Sequence, residues 1–484
     1  MRSKVVLYFI LIIYLIIGIK HSSSQGFWHD EIYSLTFLKG ISAYNFDGNT
    51  LMLVESAFPI SFCKDALQKD MFLENFNIQI LHEGHPPLYF LLLKLWSLLF
   101  GYSELALRSF SLTAGIFSIL IFFNVCLRKF NKPSTKWMVI SLLLINPFLF
   151  YYFTEARMYA FAFLLAVLCF KYWLEYKNHR NLKSYDFLFF AIFSISLLYT
   201  HYYGVFFLMA LMFYDVIKNG WSLKVLSYSI PVFFFLPWIP VILIQTDYHT
   251  IHWTNGSFSF LNSIKSFIEG LISLFYSPMS TSRIHETVFI LLVGVLFLFF
   301  SKIKWNIKAI FFVLVSFYFA ELFCFDKLLD HHTIAVPRYY MFILIFFFWG
   351  IARVLDEYNL KPMTYSIPIL HIVLSGIVFY QILTFSIARK QMFRELAAYI
   401  DSNHDERNTF IVAEPNGVLI WGVANYINGN FQIVSAEHFG GKSDSLECIF
   451  IDEMVGDVYW ENHLNNAAQS KMKLVPFAGV FLYE

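Results

Sequence analysis

The chain has 484 residues, of which 58% are hydrophobic, 20% aromatic and only 14% charged. Soluble globular proteins carry about 25% charged residues and about 45–50% apolar ones, so this composition excludes an ordinary soluble domain and predicts a protein embedded in membrane lipids. The net charge of +1 excludes the basic field that binds nucleic acid, and we expect no nucleic-acid partner.

The first apolar run, Val5 to Ile19, follows two basic residues, Arg2 and Lys4. A run of this kind is either the core of a signal peptide or an uncleaved membrane anchor. We favour the anchor, because the residues after the run lack a clear small-x-small cleavage step. Both interpretations place the segment that begins at residue 22 outside the cytoplasm.

Further apolar runs are long enough to cross a bilayer. They are 106–127, 137–153, 158–174, 186–202, 203–217, 223–244, 286–301, 306–325, 337–352 and 363–386. A shorter run, Pro87 to Phe100, contains Lys94 and Trp96 and needs a separate decision.

Loop charges decide whether 87–100 crosses the membrane, because short loops rich in Lys and Arg stay in the cytoplasm. If 87–100 does not cross, the basic loops that contain Arg128, Lys177, Lys218 and Lys302 all face the cytoplasm. If it crosses, all four face outward. We therefore predict an interfacial or re-entrant helix for 87–100, and about eleven spans with the N-terminus inside and the C-terminus outside.

This topology places four polar segments on the external face: the long loop 22–105, the junction 151–159, the loop 245–285 and the junction 326–340. We predict a multi-pass α-helical membrane domain over residues 1–386.

The composition changes after residue 386, where polar residues interrupt short apolar stretches. NTFIVAE, FQIVSA, CIFIDEM and GVFLYE are typical of strands, with helical patterns between some of them. We predict a small extracytoplasmic α/β domain over 387–484, with a structural or acceptor-shaping role.

Two motifs of the first loop carry residues suited to chemistry. FWHDEIYSL places Asp30 and Glu31 at the predicted outer membrane edge, either as working carboxylates or as a helix cap. HEGHPPLYF places His82, Glu83 and His85 before two prolines that open a helix. The His-x-x-His spacing with one Glu leaves a divalent cation as an open alternative, and we expect no other cofactor.

Three arginines lie at the predicted external ends of spans. Arg108 shares a helix face with Glu104, so a local ion pair is its alternative role. Arg157 follows Glu155 in the junction 151–159, and Arg338 begins the run 337–352. Because a guanidinium matches a phosphate with two parallel hydrogen bonds, this pattern favours a lipid-linked phosphate as ligand.

These motifs occur in order over residues 1–350: the Asp-Glu pair, HPPL, the E-x-A-x-R step, E-A-R-M-Y and a late R-Y pair. As an ordered set they resemble the GT-C superfamily of glycosyltransferases. Within it, they are most similar to the protein mannosyltransferase and aminoarabinose transferase-like branch (glycosyltransferase family 39-like). No β-trefoil domain interrupts the late spans, and the external tail resembles that of bacterial members.

The resemblance implies the GT-C fold and an external cavity that receives a polyprenyl-phosphate sugar and passes it to a hydroxyl acceptor on a lipid, glycan or protein. It implies that Asp30 is the catalytic acidic residue, and we assign Glu31 to its support. It also implies that Arg108, Arg157 and Arg338 lie near the donor phosphate. The remaining predicted donor-phosphate or substrate-binding residues are His85, Glu155, Tyr159 and Tyr339.

The predicted reaction is an inverting hexosyl or pentosyl transfer with Asp30 as general base, because a sugar phosphate already carries a good leaving group. A glycosidase needs two carboxyl groups that flank the bond, whereas Asp30 and Glu31 are adjacent. The predicted location is the plasma (inner) membrane, with the active site extracytoplasmic.

Two alternative functions stay open. One is a transporter or flippase of a lipid-linked or anionic solute, which would show charges near the membrane midplane and repeated halves. The other is a non-catalytic assembly protein.

Overall fold

The computed structural model describes residues 2–41, 58–176, 185–221, 223–248, 259–276, 305–329, 332–357, 362–384, 393–413, 417–435, 447–452, 474–477 and 480–483. The predicted span 286–301 lies outside them. The chain forms two compact units. The helical unit comprises Met1–Ile19, His85–Tyr89 and Arg108–Ala388, and the mixed unit comprises Lys20–Gly84, Phe90–Leu107 and Arg389–Glu484.

The α-helices are α1 (Arg2–Ser24), α2 (His29–Lys39), α3 (Ser61–Gln68), α4 (Phe72–His82), α5 (Leu88–Phe100), α6 (Glu104–Lys129), α7 (Pro133–Leu144), α8 (Pro147–Phe153), α9 (Tyr159–Tyr176), α10 (Tyr185–Leu198), α11 (Gly204–Asn219), α12 (Leu223–Leu226), α13 (Ser229–Phe235), α14 (Ile239–Tyr248), α15 (Phe260–Tyr276), α16 (Trp305–Leu329), α17 (Ile343–Glu357), α18 (Pro362–Leu383), α19 (Phe393–Asn403) and α20 (Gly417–Ala424). Short 3-10 helices cover Leu236–Trp238, Thr333–Ala335 and Pro337–Tyr340.

Four helical stretches in the described part of the chain are long and apolar enough to cross a membrane: Val5–Ser24, Glu104–Lys129, Tyr159–Tyr176 and Ser229–Thr246. The bent pair α7 and α8 makes a fifth if it counts as one span. Apolar helices of this length agree with a polytopic membrane protein, while the count of about eleven spans stays a prediction.

The predicted span 137–153 is not one straight helix. Helix α7 ends at Leu144, α8 begins at Pro147, and the two axes differ by 56°. Asn146 causes the break, because its side-chain oxygen accepts a hydrogen bond from the Leu149 amide (2.8 Å) and so starts a new helix. Pro147 fits the first position of that helix, where no amide hydrogen is needed.

The predicted span 223–244 is also interrupted. Helix α13 ends at Phe235 and α14 begins at Ile239, with the 3-10 turn Leu236–Trp238 between them. Pro237 lies inside this turn and lacks the amide hydrogen that a continuous helix would use. The stretch Ser229–Thr246 still counts as one candidate span, with a 3-10 turn inside it.

Helix α5 carries one buried, bonded lysine and several exposed leucines. The ammonium of Lys94 donates hydrogen bonds to the Leu38 carbonyl (2.8 Å), to Asp70 (2.6 Å) and to the Tyr102 hydroxyl (2.7 Å). In the same helix Leu95, Leu98 and Leu99 are 59%, 63% and 77% exposed. Exposed apolar residues suit a helix in contact with lipid, and the placement of 87–100 along the membrane surface stays a prediction.

The mixed unit contains a six-stranded sheet in the order β1-β3-β2-β4-β6-β5. The strands are β1 (Phe58–Pro59), β2 (Thr409–Ala413), β3 (Gln432–Ser435), β4 (Glu447–Asp452), β5 (Leu474–Phe477) and β6 (Val480–Tyr483). β2 pairs in parallel with β3 and β4, and the other pairs are antiparallel. Strands thus occur in all four predicted tail segments, and β1 adds a strand from the first loop.

Candidate functional site

The junction between α8 and α9 buries two predicted site residues. The side chains of Glu155 and Arg157 are 0% and 4% exposed. The Arg157 amide donates to the Glu155 carbonyl (2.8 Å), and the Ser111 hydroxyl of α6 donates to the Arg157 carbonyl (3.2 Å). This turn fixes the backbone from which the Arg157 guanidinium projects.

His85 and Arg157, two predicted site residues, lie close together. A guanidinium nitrogen of Arg157 lies 3.5 Å from Nδ1 of His85, a long contact in which the arginine can only donate. The chain beside His85 is fixed as well, since the Leu88 amide donates to the carbonyl of Tyr199 (2.9 Å). The motif HPPL therefore places its histidine beside the E-A-R-M-Y junction.

Arg338 lies in a turn that is held by a buried carboxylate. Asp326 accepts hydrogen bonds from the Thr333 amide (3.0 Å), the Ile334 amide (2.9 Å) and the Thr333 hydroxyl. The Arg338 guanidinium carbon is 5.7 Å from the centre of the Tyr159 ring and 5.8 Å from that of Tyr339. Both aromatic faces are thus within the range of cation–π attraction.

His201, which is not among the predicted site residues, lies among these side chains. Its ring centre is 5.6 Å from that of Tyr159, 6.0 Å from that of His85 and 6.1 Å from that of Tyr339. The side chain is 1% exposed, and within the described residues neither ring nitrogen has a hydrogen-bond partner. We call His85, Arg157, His201 and Arg338 the basic cluster.

The topology could have identified His201. It lies between α10 and α11, and the predicted topology turns these spans on the same external face as the junctions 151–159 and 326–340. The segment THYYG is short and aromatic, so the sequence gives no sign of a loop where the predicted spans 186–202 and 203–217 meet.

His201 lies in the connection between helices and is neutral. Burial, and then the charges of His85, Arg338 and Arg157, lower its pKa well below the ordinary value of 6.5. A neutral imidazole has one N–H donor and one acceptor nitrogen. The cluster therefore combines the permanent positive charge of two arginines with a neutral N–H donor from His201.

The aromatic frame of the cluster is rigid. The rings of Tyr203 and Tyr339 stack with centres 4.4 Å apart and an angle of 10°. The hydroxyl of Tyr318 contacts the carbonyl oxygens of both residues, at 3.3 and 3.2 Å. These contacts tie the 199–203 connection to the turn that carries Arg338.

Arg108 is 1% exposed on α6. Ser111, which contacts the Arg157 backbone, follows it by three residues, and such residues share a helix face. Arg108 is thus on the side of α6 that faces the Arg157 backbone, and its role at a donor phosphate stays a prediction.

Asp30 and Glu31 lie at the start of α2 in the mixed unit and differ in their surroundings. Glu31 is 0% exposed, and its carboxylate accepts a hydrogen bond from the Trp28 amide (3.2 Å). Asp30 keeps 16% of its side chain exposed and lies 3.4 Å from Nδ1 of His29. Glu31 thus acts as a helix cap, and Asp30 is the more accessible carboxylate of the pair.

The chemistry of a divalent cation stays an open alternative. Among the residues that the structure describes, no group of three or more His, Cys, Asp or Glu side chains could hold a metal ion.

No protein-family model matches the sequence, and no curated protein matches it. Its fold resembles solved structures. ArnT from Cupriavidus metallidurans in the apo state aligns with 100% of this chain and 98% of its own, with a TM-score of 0.57 and 9% sequence identity. The same protein bound to undecaprenyl phosphate aligns over the same shares, with a TM-score of 0.56 and 9% identity.

The apo oligosaccharyltransferase of Archaeoglobus fulgidus aligns more weakly, with a TM-score of 0.46 and 11% identity over 92% of this chain and 69% of its own, and that similarity carries no argument. The two ArnT alignments cover the whole chain and show its fold. The predicted GT-C fold is thereby confirmed.

Proposed function

We propose that this chain, which has the GT-C fold of ArnT, is a membrane glycosyltransferase that uses a polyprenyl-phosphate-linked sugar. The observation that carries the proposal is the basic cluster with its aromatic frame. It gathers two arginines and two histidines from connections that the predicted topology places at one membrane face. The ArnT structure with undecaprenyl phosphate bound supports a lipid phosphate as the ligand.

The basic cluster suits a phosphate that gains charge during the reaction. Arg157 and Arg338 supply fixed positive charge, and the neutral His201 supplies one N–H donor. In a site that excludes water, such groups stabilise charge more strongly than they would in solution. Arg108, Glu155 and the rings of Tyr159 and Tyr339 complete the proposed donor site.

The proposed transfer breaks the bond between the anomeric carbon and the phosphate oxygen and forms a bond from that carbon to the acceptor oxygen. The polyprenyl phosphate leaves with the bonding electrons. The arginines stabilise the negative charge that the phosphate gains in this step. The acceptor hydroxyl loses its proton to the carboxylate of Asp30, acting as general base. Attack opposite the leaving group inverts the anomeric configuration.

We further propose that the sugar is a hexose or pentose, and that the acceptor is a hydroxyl of a lipid, a glycan or a protein. The proposed location is the inner membrane, with the active site and the tail on the extracytoplasmic side. The alternative of a transporter or flippase predicts no chemical turnover in the absence of compartments.

The test is a transfer assay with the full chain in detergent, where transport cannot be observed. Purified protein is incubated with a panel of synthetic polyprenyl-phosphate hexoses and pentoses and with a membrane lipid extract as acceptor. Release of polyprenyl phosphate and gain of a glycosyl mass on the acceptor are followed by mass spectrometry. We expect turnover of one donor class, and its absence across the panel would contradict the proposal.

Asp30→Asn should lower kcat by about 10²–10⁴-fold, the usual contribution of a general base. Asp65→Asn is the matched control, because Asp65 is an exposed carboxylate of α3 in the same unit. A folded Asp30→Asn protein with the parent rate would rule out the base assignment, and the control should keep that rate.

A further inference from the structure

Tyr426, in the tail, contacts the chain just before α2. Its hydroxyl accepts a hydrogen bond from the Phe27 amide (2.6 Å) and donates one to the carboxylate of Glu104 (2.6 Å), at the start of α6. One hydroxyl thus connects three parts of the mixed unit that are distant in sequence.

Arg394, in α19, reinforces this connection. Its guanidinium bonds to the same oxygen of Glu104 and lies 5.5 Å from the centre of the Tyr426 ring. The charged pair fixes the carboxylate that receives the Tyr426 hydrogen bond. A charge-assisted hydrogen bond of this kind is roughly twice as strong as a neutral one.

Gly26 allows the two tail side chains to approach the backbone. A Cβ atom at this position would lie 3.1 Å from Cβ of Arg394 and 3.2 Å from the Tyr426 hydroxyl oxygen. These distances are tighter than ordinary van der Waals contact. A side chain at residue 26 would therefore push the tail contacts away.

The contacts converge on the start of the helix that carries Asp30. Phe27 is 1% exposed and its amide is held by Tyr426, while the next amide, that of Trp28, is held by Glu31. Two successive amides before α2 are thus bonded by side chains. The Trp28 amide is one of the four that lack a partner within the helix, and the Phe27 amide lies just before it. The two bonds therefore fix the chain that enters the first turn, where Asp30 is located.

We propose that Tyr426, Glu104 and Arg394 form a tail clamp that positions the first turn of α2 and thereby orients Asp30. The proposal rests on the proposed function in that Asp30 serves as the base. The tail then acts as a positioning part of the catalytic machinery, rather than as a separate module. Its residues touch the backbone before Asp30 and take no part in proton transfer.

The clamp has a consequence for the charge of Asp30. The N-terminal turn of a helix favours a negative side chain, because its amide dipoles point toward it. If the turn frays, Asp30 loses part of that stabilisation, so its negative form becomes less favourable, and its contact with the neighbouring titratable group His29 (3.4 Å) is also disturbed. A weakened clamp should therefore move the acidic limb of the rate profile to higher pH as well as lower kcat.

Tyr426→Phe removes the hydroxyl and keeps the ring over Arg394. We expect kcat to fall about tenfold, since small misplacements of catalytic groups cost one to two orders of magnitude. The KM for the donor should stay within about twofold, because no donor contact is removed. Glu104→Gln retains an oxygen that can accept the Tyr426 hydrogen bond, so it should keep more activity than Glu104→Ala.

Hydrogen exchange provides a readout that is independent of activity. In Tyr426→Phe, the amides of residues 27–31 should exchange at least tenfold faster than in the parent. Tyr102→Phe is the matched control, since its hydroxyl also has two partners, Lys94 (2.7 Å) and Asp70 (3.0 Å), in the same unit. It should leave exchange at 27–31 and the pH profile unchanged.

The outcomes separate the two proposals. If the parent transfers sugar and Tyr426→Phe matches it in kcat, pH profile and exchange, the clamp is refuted and the proposed function stands. If the parent transfers no sugar, the proposed function fails, and exchange at 27–31 still decides whether Tyr426 holds this turn. Equal changes in the Tyr102→Phe control would show a general loss of stability and refute the clamp.

Discussion

A guanidinium as deeply buried as that of Arg157 loses most of its contact with water, which is costly for a permanent charge. A bound phosphate would offset this unfavourable free energy through charge-assisted hydrogen bonds. The stacked tyrosines and the Asp326-bound turn hold the surrounding side chains in place before any ligand arrives. Preorganised charge of this kind favours the binding of an anion over general structural support.

Arg157→Lys tests the donor role, because lysine keeps the charge but loses the planar fork of donors. We expect the KM for the polyprenyl-phosphate sugar to rise about tenfold with little change in the KM for the acceptor. Steady-state kinetics with each substrate varied in turn measures both. Arg128→Lys is the control, since Arg128 forms an exposed ion pair with Glu175. Equal losses for donor and acceptor would indicate a structural role for Arg157.

His201 should make the protein less stable in acid. Its folded pKa is depressed below 6.5, so the unfolded chain binds a proton that the folded chain does not. The stability present above pH 6.5 is lost as the pH falls, by up to about 2 kcal/mol at pH 5. Thermal unfolding in detergent should therefore show a smaller drop in Tm between pH 7 and pH 5 for His201→Gln than for the parent. Identical drops would contradict this assignment.

At this scale the sequence singled out several residues that the structure brings together in the helical unit, and their role as a site stays a prediction. His85, Arg157, Tyr159, Arg338 and Tyr339 stood out because charged or aromatic residues at the ends of apolar runs are costly without a role. His201 did not, because a single histidine between two runs carries no spacing signal. The sequence also did not show which of the adjacent residues Asp30 and Glu31 caps α2. The structure shows that Glu31 does.

Among the helices, the break between α7 and α8 has the clearest physical cause. Apolar composition favoured one span over 137–153, and hydropathy averaged over that window hides a single Asn-Pro step. Asn followed by Pro is nevertheless a good helix start, as Asn146 and Pro147 show. The signal was present in the sequence but was outweighed by the apolar residues around it.

Asn146→Ala should lower stability by about 2 kcal/mol, because the buried Leu149 amide loses its acceptor and the Leu274 carbonyl loses a donor (3.1 Å). Asn146→Ser keeps an oxygen suited to the cap and should recover part of the loss. The Tm values of the three proteins in detergent give the comparison. A serine variant as unstable as the alanine variant would mean that the bond to Leu274 dominates.

Over the whole molecule, apolar length and loop charge predicted a polytopic membrane protein, and the GT-C fold followed from the order of the motifs. The division at residue 386 stays a prediction. In the structure the tail strands share a compact unit with the first loop, through the pairing of β1 with β3. Pairing between strands so far apart in sequence depends on tertiary packing, and periodicity along the chain carries no information about it.

Site-specific labelling tests the predicted topology. Ser134→Cys and Ser402→Cys each replace an exposed serine, in α7 and α19. In a background with Cys324→Ser and Cys448→Ser, a membrane-impermeant maleimide should label residue 402 in intact cells. Residue 134 should react only after the membrane is opened. Labelling of both from outside would overturn the orientation on which the proposed donor site depends.

The pairing of Phe58 and Pro59 with Ile433 and Gln432 also governs how the protein must be made. The ribosome completes 373 residues (432 − 59) between these partners, which takes about 20–75 s at ordinary rates of elongation. For that interval β1, in the first loop, lacks its partner strand β3. The sheet is therefore completed only when the tail strand β3 pairs with β1, which is synthesised much earlier. A ribosome that stalls late in synthesis would leave the first loop accessible to proteases and chaperones.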